Sequence, residues 1–222
     1  MLPERLSRRR LLGLAALGAA GAAWPVEEAS AGPSGVASGA ITCVLAPELT
    51  EGPYYLPNER VRRDITEGRP GTPLRLRLNV VDASTCKAMK GAAVDIWHAD
   101  AGGVYSGVAG NTGTFLRGVQ KTDGTGLAVF DTIYPGWYQG RAVHVHVKVH
   151  LGGNVVHTGQ LFFPDALNDR VYRAAPYKSR GNPDVPNAAD AIYRNGGSRS
   201  LLRPVKSGSG YVGSMVMGVH TG

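Results

Sequence analysis

Apolar and polar residues alternate along several short segments of the chain. Between Leu74 and Val80 the sequence Leu-Arg-Leu-Arg-Leu-Asn-Val has a period of two, which is typical of a β-strand with one buried face. Similar segments, rich in β-branched or aromatic residues and separated by Gly, Pro, Asn or Asp, lie at Ala92–Trp97, Leu127–Phe130, Val143–Leu151, Val155–Phe163 and Tyr211–Val219. Beyond the first thirty residues, no stretch of 12 residues has a clear period of 3.6. The pattern therefore predicts an all-β fold, an antiparallel β-sandwich.

One long segment between the predicted strands has no such alternation. Residues Asp165 to Gly197 are rich in Asn, Pro, Arg and Ala. We expect a long loop that contains one helical turn. Loops of this length in a compact domain are usually functional or wrap the core.

The first thirty residues have the features of a targeting signal. Ser7-Arg8-Arg9-Arg10 precedes an apolar run from Leu11 to Ala23, and Ala29-Ser30-Ala31 follows as a small-x-small cleavage pattern. The run is shorter than the roughly 20 apolar residues of a membrane span, so no stable membrane insertion is expected. It is apolar all round, unlike an amphipathic first helix of a domain. The segment resembles a twin-arginine export signal, which implies a periplasmic or extracellular protein.

These features divide the chain into three parts. Residues 1–31 form the predicted export signal, residues 32–40 a Gly/Ser/Ala-rich linker, and residues 41–222 one domain. The 222 residues are 43% hydrophobic and 18% charged, which excludes a collagen, a coiled coil and a fully disordered chain. Lys and Arg outnumber Asp and Glu by 24 to 17. Because the basic residues are scattered and are not interleaved with stacking aromatics, we expect no nucleic-acid partner.

The two cysteines, Cys43 and Cys86, are too few and too far apart for a cysteine-based zinc site, which uses paired C-x-x-C ligands. In an oxidising compartment they can form a disulfide. Such a cross-link contributes about 3–4 kcal/mol in the chain-entropy model. The alternative is a pair of buried free thiols, and the sequence leaves both open.

The densest candidate chemistry lies on the segment Arg141–His150. Alternation places valines on one face of this strand and His144, His146, Lys148 and His150 on the other, with His144 and His146 about 6–7 Å apart at Cα. Two imidazoles in this arrangement can bind one metal ion. The alternative is a solvated strand face without a metal. No carboxylate or cysteine lies in an obvious ligand position beside them, which argues against a two-histidine-one-carboxylate ferrous site and a blue-copper site.

Tyrosines are the remaining candidate ligands. Tyr105 follows Asp100-Ala101-Gly102-Gly103-Val104, and Tyr138 follows Pro135-Gly136-Trp137, so each lies in a Gly-rich turn beyond a predicted strand. A turn allows a long phenol side chain to reach a site formed by a neighbouring strand. The alternative for each is a tyrosine packed at the sandwich edge with its hydroxyl bonded to a backbone carbonyl.

Five motifs in order resemble those of the intradiol ring-cleavage dioxygenases. They are TEGPYY at Thr50–Tyr55, DIWHADAGGVY at Asp95–Tyr105, PGWY at Pro135–Tyr138, RAVHVH at Arg141–His146 and GQLFF at Gly159–Phe163. The likeness extends from about Cys43 to Val219. It implies a β-sandwich that carries non-haem ferric iron, Fe(3+), and that acts on a small aromatic diol and O2. The implied fold agrees with the strands predicted from alternation.

Carried over residue by residue, the resemblance makes Tyr105, Tyr138, His144 and His146 the iron ligands, with water or hydroxide at a fifth position. Two phenolates suit Fe(III), a hard ion that prefers anionic oxygen, and the charge of the ion drives the phenols to ionise. In the implied reaction Tyr138 leaves the metal when a catechol chelates it. O2 then attacks the bound ring, which opens between its two hydroxylated carbons to a muconate-type diacid.

Two more roles follow from the same resemblance. Arg141 matches an arginine that stabilises negative charge on the ring, and Gln160 matches a supporting glutamine. Separately, Tyr54 and Tyr55 are expected to line the pocket mouth with one ring in and one out, and Tyr54 is the candidate for substrate contact. The alternatives are a strand residue bonded to backbone for Gln160 and a residue on a solvated edge for Arg141.

The chain also departs from the better-known family members. Only five residues separate Tyr138 from His144, where many catechol and protocatechuate enzymes have a longer insertion with bulky pocket residues. The architecture is closer to a short, exported branch. A shorter rim predicts an open pocket and broad or bulky catechol substrates, while the physiological substrate and the oligomeric state stay open. The rival interpretation is an exported β-sandwich binding module, catalytically inactive or holding another metal at the His-x-His strand.

Overall fold

A computed structural model of the chain describes residues 43–57 and 59–220. The predicted export signal and the linker lie outside the described residues. The strands are β1 (Pro73–Asp82), β2 (Ala93–Trp97), β3 (Arg117–Lys121), β4 (Leu127–Ile133), β5 (His144–Leu151), β6 (Asn154–Phe162), β7 (Val205–Ser207) and β8 (Gly210–Val219). The helices are α1 (Asp165–Val171), α2 (Ala191–Arg194) and short 3-10 helices at Tyr177–Ser179, Asn187–Ala189 and Gly197–Ser200. No helix in this part of the chain is long and apolar enough to cross a membrane.

Two four-stranded sheets form the sandwich. The strand order is β4-β1-β8-β7 in the first sheet and β3-β2-β5-β6 in the second sheet. Neighbouring strands are antiparallel, except that β1 and β8 pair in parallel over nine residues of register from Leu74 to Asp82. The predicted β-sandwich is confirmed, with one parallel pair inside an otherwise antiparallel framework.

The core lies between the sheets and follows the predicted alternation. Leu74, Leu76 and Leu78 of β1 point into it from the first sheet, and Val145 and Val147 of β5 meet them from the second. All five side chains are at most 2% exposed. Each such side chain contributes about 1.5–3 kcal/mol of burial free energy, so period-two alternation on both sheets is what makes the sandwich stable.

Two strands and several helical turns differ from the sequence prediction. The strand β3, with the sequence Arg-Gly-Val-Gln-Lys, has no apolar period of its own and is held by pairing with β2. The three residues of β7 are all exposed and pair only with β8. The prediction of a single helical turn within Asp165–Gly197 is wrong, because this segment contains α1, α2 and short 3-10 helices. None of these helices is long enough to display a 3.6-residue period.

The outer face of the second sheet is covered by chain rather than by solvent. Arg117, Trp97, His146 and Gln160 are register partners across β3, β2, β5 and β6, and they form one row on this face. Each residue of this row is at most 1% exposed. Residues 43–57, called the covering segment, begin beside β8, where the Ala46 N–H bonds to the Gly218 carbonyl at 2.8 Å, and then cross this row, where the Thr50 carbonyl accepts from Gln160 Nε2 at 2.9 Å. The alternative of a solvated His-x-His face is therefore wrong.

Candidate metal centre

Two Gly-rich turns carry the candidate tyrosines and pack backbone against backbone. A Cβ atom added to Gly103 would overlap the Trp137 carbonyl oxygen, and one added to Gly136 would overlap the Asp100 carbonyl oxygen. Gly103 also has a φ of +81°, which L side chains rarely adopt. The glycines thus allow the turns before Tyr105 and Tyr138 to meet at the end of the second sheet.

Three of the predicted metal ligands converge on one point. The Nε2 atoms of His144 and His146 lie 3.1 Å apart. The Tyr138 hydroxyl lies 3.2 Å from His144 Nε2. Two donors bound at right angles, each about 2.1 Å from one ion, are about 3.0 Å apart. The spacing of these atoms therefore fits a shared metal ion.

Tyr105 completes the set from the other turn. Its ring centroid is 5.6 Å from that of Tyr138 and 6.1 Å from that of His146, edge to face in both pairs. Its hydroxyl is buried and has no hydrogen-bond partner among the described residues. A buried phenol without a partner is costly unless another group binds its oxygen, and a cation at the point shared by the other three donors would do so.

All four donors are neutral without a cation. Burial, then the Arg141 guanidinium, lowers the pKa of His144 to about 3, and burial and His144 hold the pKa of His146 well below its usual value. Burial, followed by the nearby Tyr138, raises the pKa of Tyr105 well above its usual range. Burial also raises the pKa of Tyr138. Neutral imidazoles present lone pairs to a metal, and a bound cation would reverse the cost of ionising two phenols.

Neighbouring groups orient both imidazoles. His144 Nδ1 lies 2.7 Å from the Ala142 carbonyl oxygen. Because a carbonyl only accepts, Nδ1 carries the proton and Nε2 keeps its lone pair for a metal. The His146 ring stacks on Trp97 with centroids 4.8 Å apart and planes 4° from parallel. Trp97, which entered the sequence analysis only as the end of a predicted strand, fixes the plane of a candidate ligand.

Arg141 and Gln160 lie beside these donors in one hydrogen-bond network. Arg141 Nη2 donates to Gln160 Oε1 at 2.5 Å, and Nη1 donates to the Tyr138 hydroxyl at 3.4 Å. The third guanidinium nitrogen, Nε, donates to the Asp190 carboxylate at 2.7 Å. Arg141 therefore brings a permanent positive charge to the oxygen of a candidate ligand.

The sequence prediction missed Asp190 and Arg117. Asp190 precedes α2, and an Asp directly before a helix is a capping signal, which was the only trace of it in the sequence. Arg117 is 1% exposed and donates to the carbonyl oxygens of Tyr54 and Ser106, at 2.7 and 2.8 Å from Nη1 and Nη2. Because Ser106 follows Tyr105, Arg117 joins the covering segment to the turn that carries Tyr105.

A pocket of about 150 Å³ opens beside the two tyrosines. It is lined by Tyr54, Gly103, Val104, Tyr105, Val108, Ala109, Asn111 and Tyr138. The Tyr54 ring lies 4.7 Å from that of Tyr105 and 6.2 Å from that of Tyr138, so Tyr54 lines this pocket beside both candidate ligands. No lining side chain carries a charge at neutral pH.

The cysteines lie far from these donors in the chain but anchor the covering segment. Cys43 and Cys86 form a disulfide with Cα atoms 5.5 Å apart. Cys43 is the first described residue, and Cys86 lies in the turn after β1. The bond therefore attaches the start of the covering segment to the loop that follows β1, an inner strand of the first sheet.

Comparisons with known proteins agree with this arrangement. A family model described as Dioxygenase matches residues 50–175, more than half of the 222-residue chain. An intradiol ring-cleavage dioxygenase from Tetranychus urticae is 34% identical with a TM-score of 0.77, and the match covers 80% of this chain and 95% of that one. The dioxygenase domain of a dioxygenase carbohydrate-binding protein fusion from the cellulolytic bacterium Streptomyces sp. SirexAA-E is 32% identical with a TM-score of 0.64, covering 81% and 100%.

A chlorocatechol 1,2-dioxygenase from Pseudomonas putida is 29% identical over 135 residues, which are 51% of this chain and 52% of that protein. The chain thus spans about half the length of this curated relative. The residues matched by the family model include Tyr54, all four converging donors, Arg141 and Gln160. The chain belongs to the intradiol ring-cleavage dioxygenase family.

Proposed function

We propose that the protein is a non-haem Fe(III) dioxygenase that uses O2 to cleave catechol-type rings between the two hydroxylated carbons, giving muconate-type diacids. The observation that carries this proposal is the convergence of three donor atoms, with His144 Nε2 lying 3.1 Å from His146 Nε2 and 3.2 Å from the Tyr138 hydroxyl, beside a second buried phenol without a hydrogen-bond partner among the described residues. A pair of phenols favours a hard trivalent ion over the softer ions that cysteine-rich sites select.

The four ligands in this proposal are Tyr105, Tyr138, His144 and His146. Bound Fe(III) would supply a Lewis-acid centre for the two oxygens of the catechol. Among the described residues, no group of three or more His, Cys, Asp or Glu side chains could hold a metal ion. A metal at this point therefore depends on both tyrosines.

Tyr138 and Arg141 have distinct tasks. The Tyr138 hydroxyl lies 3.2 Å from His144 Nε2 and accepts a hydrogen bond from Arg141 Nη1 at 3.4 Å. Held as a phenolate by a bound metal ion, this oxygen would be a base able to accept a proton from an incoming catechol, and Arg141 would stabilise its negative charge until that transfer. Gln160 Oε1 accepts from Arg141 Nη2 and so keeps the guanidinium facing the catechol ring.

The pocket wall supports catechols with uncharged, bulky substituents as the substrate class. Val104, Val108 and Ala109 are small and apolar, and the only polar amide in the lining is that of Asn111, which already donates to the Val108 carbonyl at 3.2 Å. A carboxylate substituent would meet no cation there and would lose hydration without compensation. The short rim between Tyr138 and His144 leaves room for the substituent.

The test is oxygen uptake, with product absorbance, by the iron-loaded protein on catechol, on protocatechuate, which carries a carboxylate, and on a bulky caffeate-like catechol whose carboxylate is esterified and therefore uncharged. We expect turnover of catechols to ring-opened diacids, visible absorption from tyrosinate bound to ferric iron, and a large loss of rate in Tyr138→Phe. Tyr211→Phe, on β8 of the first sheet, serves as the matched control and should behave as wild type. A colourless protein that binds zinc, or no oxygen uptake with any catechol, would favour the binding-module interpretation instead. A strict preference for unsubstituted catechol would contradict only the substrate class.

We also propose export through the twin-arginine signal. The Cys43–Cys86 disulfide supports it, because structural disulfides persist in oxidising compartments. Cell fractionation of a variant with Arg8, Arg9 and Arg10 all changed to Lys tests it: the variant should stay in the cytoplasm while the wild type leaves it. Equal export of both would contradict the proposal.

A further inference from the structure

Asp190 contributes a carboxylate that the ring-cleavage proposal does not yet use. Its side chain is 0% exposed. One oxygen, Oδ1, accepts from the backbone N–H groups of Ile192 and Tyr193 at 2.8 and 3.0 Å and so caps α2. The other oxygen, Oδ2, accepts from Arg141 Nε at 2.7 Å and from the Ala142 N–H at 2.9 Å. The carboxylate therefore joins the segment after β6 to the residues that precede His144.

The contact with Nε determines where the rest of the guanidinium points. The group is planar, with its five donors in a fixed fork, so anchoring Nε fixes the directions of both Nη atoms. These atoms reach Gln160 Oε1 at 2.5 Å and the Tyr138 hydroxyl at 3.4 Å. Without an anchor, an arginine side chain loses rotamer entropy each time it is aligned. Asp190 removes that freedom before substrate arrives.

The same oxygen also acts on the metal side through the backbone. Asp190 Oδ2 holds the Ala142 N–H, and the Ala142 carbonyl accepts the proton of His144 Nδ1 at 2.7 Å. Both backbone polar groups of Ala142, its N–H and its carbonyl, are thus held by hydrogen bonds. The Asp190 carboxylate therefore supports both the Arg141 guanidinium and, through Ala142, the Nδ1-protonated tautomer of His144.

We propose that Asp190 is a positioning residue for the ring cleavage. It holds the Arg141 guanidinium so that Nη1 faces the Tyr138 oxygen and the positive charge lies beside the reacting ring. The inference rests on the proposed function. It requires that Asp190 act through Arg141, and this separates it from a residue that only caps a short helix.

A double-mutant cycle on the iron-loaded protein tests this requirement. Arg141→Ala should lower kcat by about 100–1,000-fold, as does loss of a donor aimed at a developing charge. Asp190→Asn, which keeps the size of the side chain, should lower kcat by about 10–100-fold, with KM changed by less than about threefold. In the double variant, kcat should fall no further than about twofold below that of Arg141→Ala, because the two residues act as one unit.

Two further variants separate positioning from capping. Asp190→Ser keeps an N-cap oxygen for α2 but is too short to reach Arg141, so it should fold, retain the visible absorption and lose kcat as Asp190→Asn does. Asp165→Asn is the matched control. Asp165 accepts from the Asn187 N–H in the same segment at 3.2 Å, and within the described residues it makes no hydrogen bond to Arg141. It should leave kcat unchanged.

Each outcome decides one question. Equal fold-losses for Asp190→Asn in the wild-type and Arg141→Ala backgrounds would overturn the positioning role and indicate a structural one. Wild-type kcat in Asp190→Ser would overturn it as well. If the wild type itself consumes no oxygen with any catechol, the proposed function fails, and that result is distinguishable because it precedes any comparison of variants.

Discussion

The outer faces of the two sheets begin from the same alternation and end in different environments. On the first sheet, Arg75 of β1 is exposed and Arg77 is half-buried, and the Arg75 guanidinium bonds to Asp131 of the neighbouring strand. On the second sheet, His146 and Lys148 of β5 occupy equivalent outward positions and are 1% and 5% exposed. Both pairs of residues are polar and lie on strands inside their sheets. Only the second pair is covered by another part of the chain.

This difference shows what a covered sheet face can do that a solvated one cannot. The covering segment places Tyr55 against Trp97, with ring centroids 4.9 Å apart, and Gly52 against the His146 ring. Water is thereby replaced by fixed groups, and burial lowers the pKa of His146 and Lys148 on this face. On the first sheet the same alternation leaves Arg75 exposed and Arg77 half-buried, while the leucines between them pack in the core.

The largest difference between the faces should appear when one outward side chain is removed from each. His146→Ala deletes a proposed ligand and should reduce activity by more than about 100-fold, because even groups that only orient ligands cost 10–100-fold. The visible absorption and the iron content should fall with it. Arg77→Ala, on β1 of the first sheet, is the control and should keep both. An iron-replete, active His146→Ala protein would contradict the ligand set.

The second prediction removes the anchor of the covering segment. A variant with both Cys43→Ser and Cys86→Ser loses a cross-link that spans 43 residues of sequence. In the chain-entropy model this costs about 4 kcal/mol of unfolding free energy, measured by urea denaturation. Reduction of the wild-type disulfide should lower the midpoint equally.

Amide hydrogen exchange would show which face responds. Exchange should accelerate at Leu49, whose N–H bonds to the Thr158 carbonyl at 2.9 Å, because this bond ties the covering segment to the second sheet. The β1–β8 pairing of the first sheet should exchange at the wild-type rate. Uniform acceleration in both sheets would mean that the disulfide stabilises the whole fold and not the cover in particular.

Alternation was enough to predict the strands that face the core. The sequence Leu-Arg-Leu-Arg-Leu of β1 and the valines of β5 each have their own apolar period, and both strands form where the sequence predicted them. By contrast, β3 has one apolar side chain and β7 has none that is buried. These two strands form because they pair with β2 and β8. A strand that depends on its neighbour leaves little trace in its own residues.

The candidate site could be predicted only in part for the same reason. That His144 and His146 share a face follows from strand geometry, and Tyr105 and Tyr138 entered through a resemblance of motifs. The meeting of the two tyrosine turns depends on backbone contacts between residues more than thirty apart, which no local pattern reports. Asp190 is 49 residues from Arg141 and was invisible as its partner. The burial of the His-x-His face was likewise a property of the covering segment.

The third prediction concerns a carboxylate on each sheet, with opposite signs. Burial, and then the charge of Glu59, raises the pKa of Asp95 to about 7, although a hydrogen bond from Tyr55 and the charge of Arg117 lower it. The cross-strand neighbour of Asp95 is Lys148. Ionised Asp95 therefore destabilises the fold, and the stability of the protein should fall as pH rises from about 4 to 7. Asp95→Asn should remove this fall and increase unfolding free energy at pH 8 by about 3 kcal/mol.

Asp131 on the first sheet provides the opposite case. Burial acts to raise its pKa, but hydrogen bonds from Arg75 and Arg63 outweigh it and lower the pKa. Its contribution is present above the unfolded pKa near 4 and is lost as pH falls through the lower folded value. Asp131→Asn should therefore destabilise at pH 7 and have no effect at the lowest pH that keeps the fold. Urea midpoints across the pH range measure both variants, and shifts of the same sign would contradict the assignment.

The smallest predicted effect compares one cation from each outer face. Lys148 pairs with Glu51 of the covering segment and lies 3.8 Å from the Tyr55 ring centroid, and its side chain is 6% exposed. Lys148→Met removes both contacts but leaves the Glu51 carboxylate, which is 39% exposed and keeps part of its hydration. We expect a loss of about 1–2 kcal/mol in unfolding free energy, less than for a fully buried pair.

Arg75→Met is the matched change on the first sheet, where the guanidinium is 49% exposed and its partner Asp131 is 34% exposed. Because water screens this pair and Arg63 also bonds to Asp131, the urea midpoint should not shift measurably. Raising the salt concentration should weaken neither contact of Lys148 much, since the covering segment excludes ions from it. Equal losses for the two variants would show that the cover does not change the strength of charge pairing, and the contrast between the faces would then rest on the metal ligands alone.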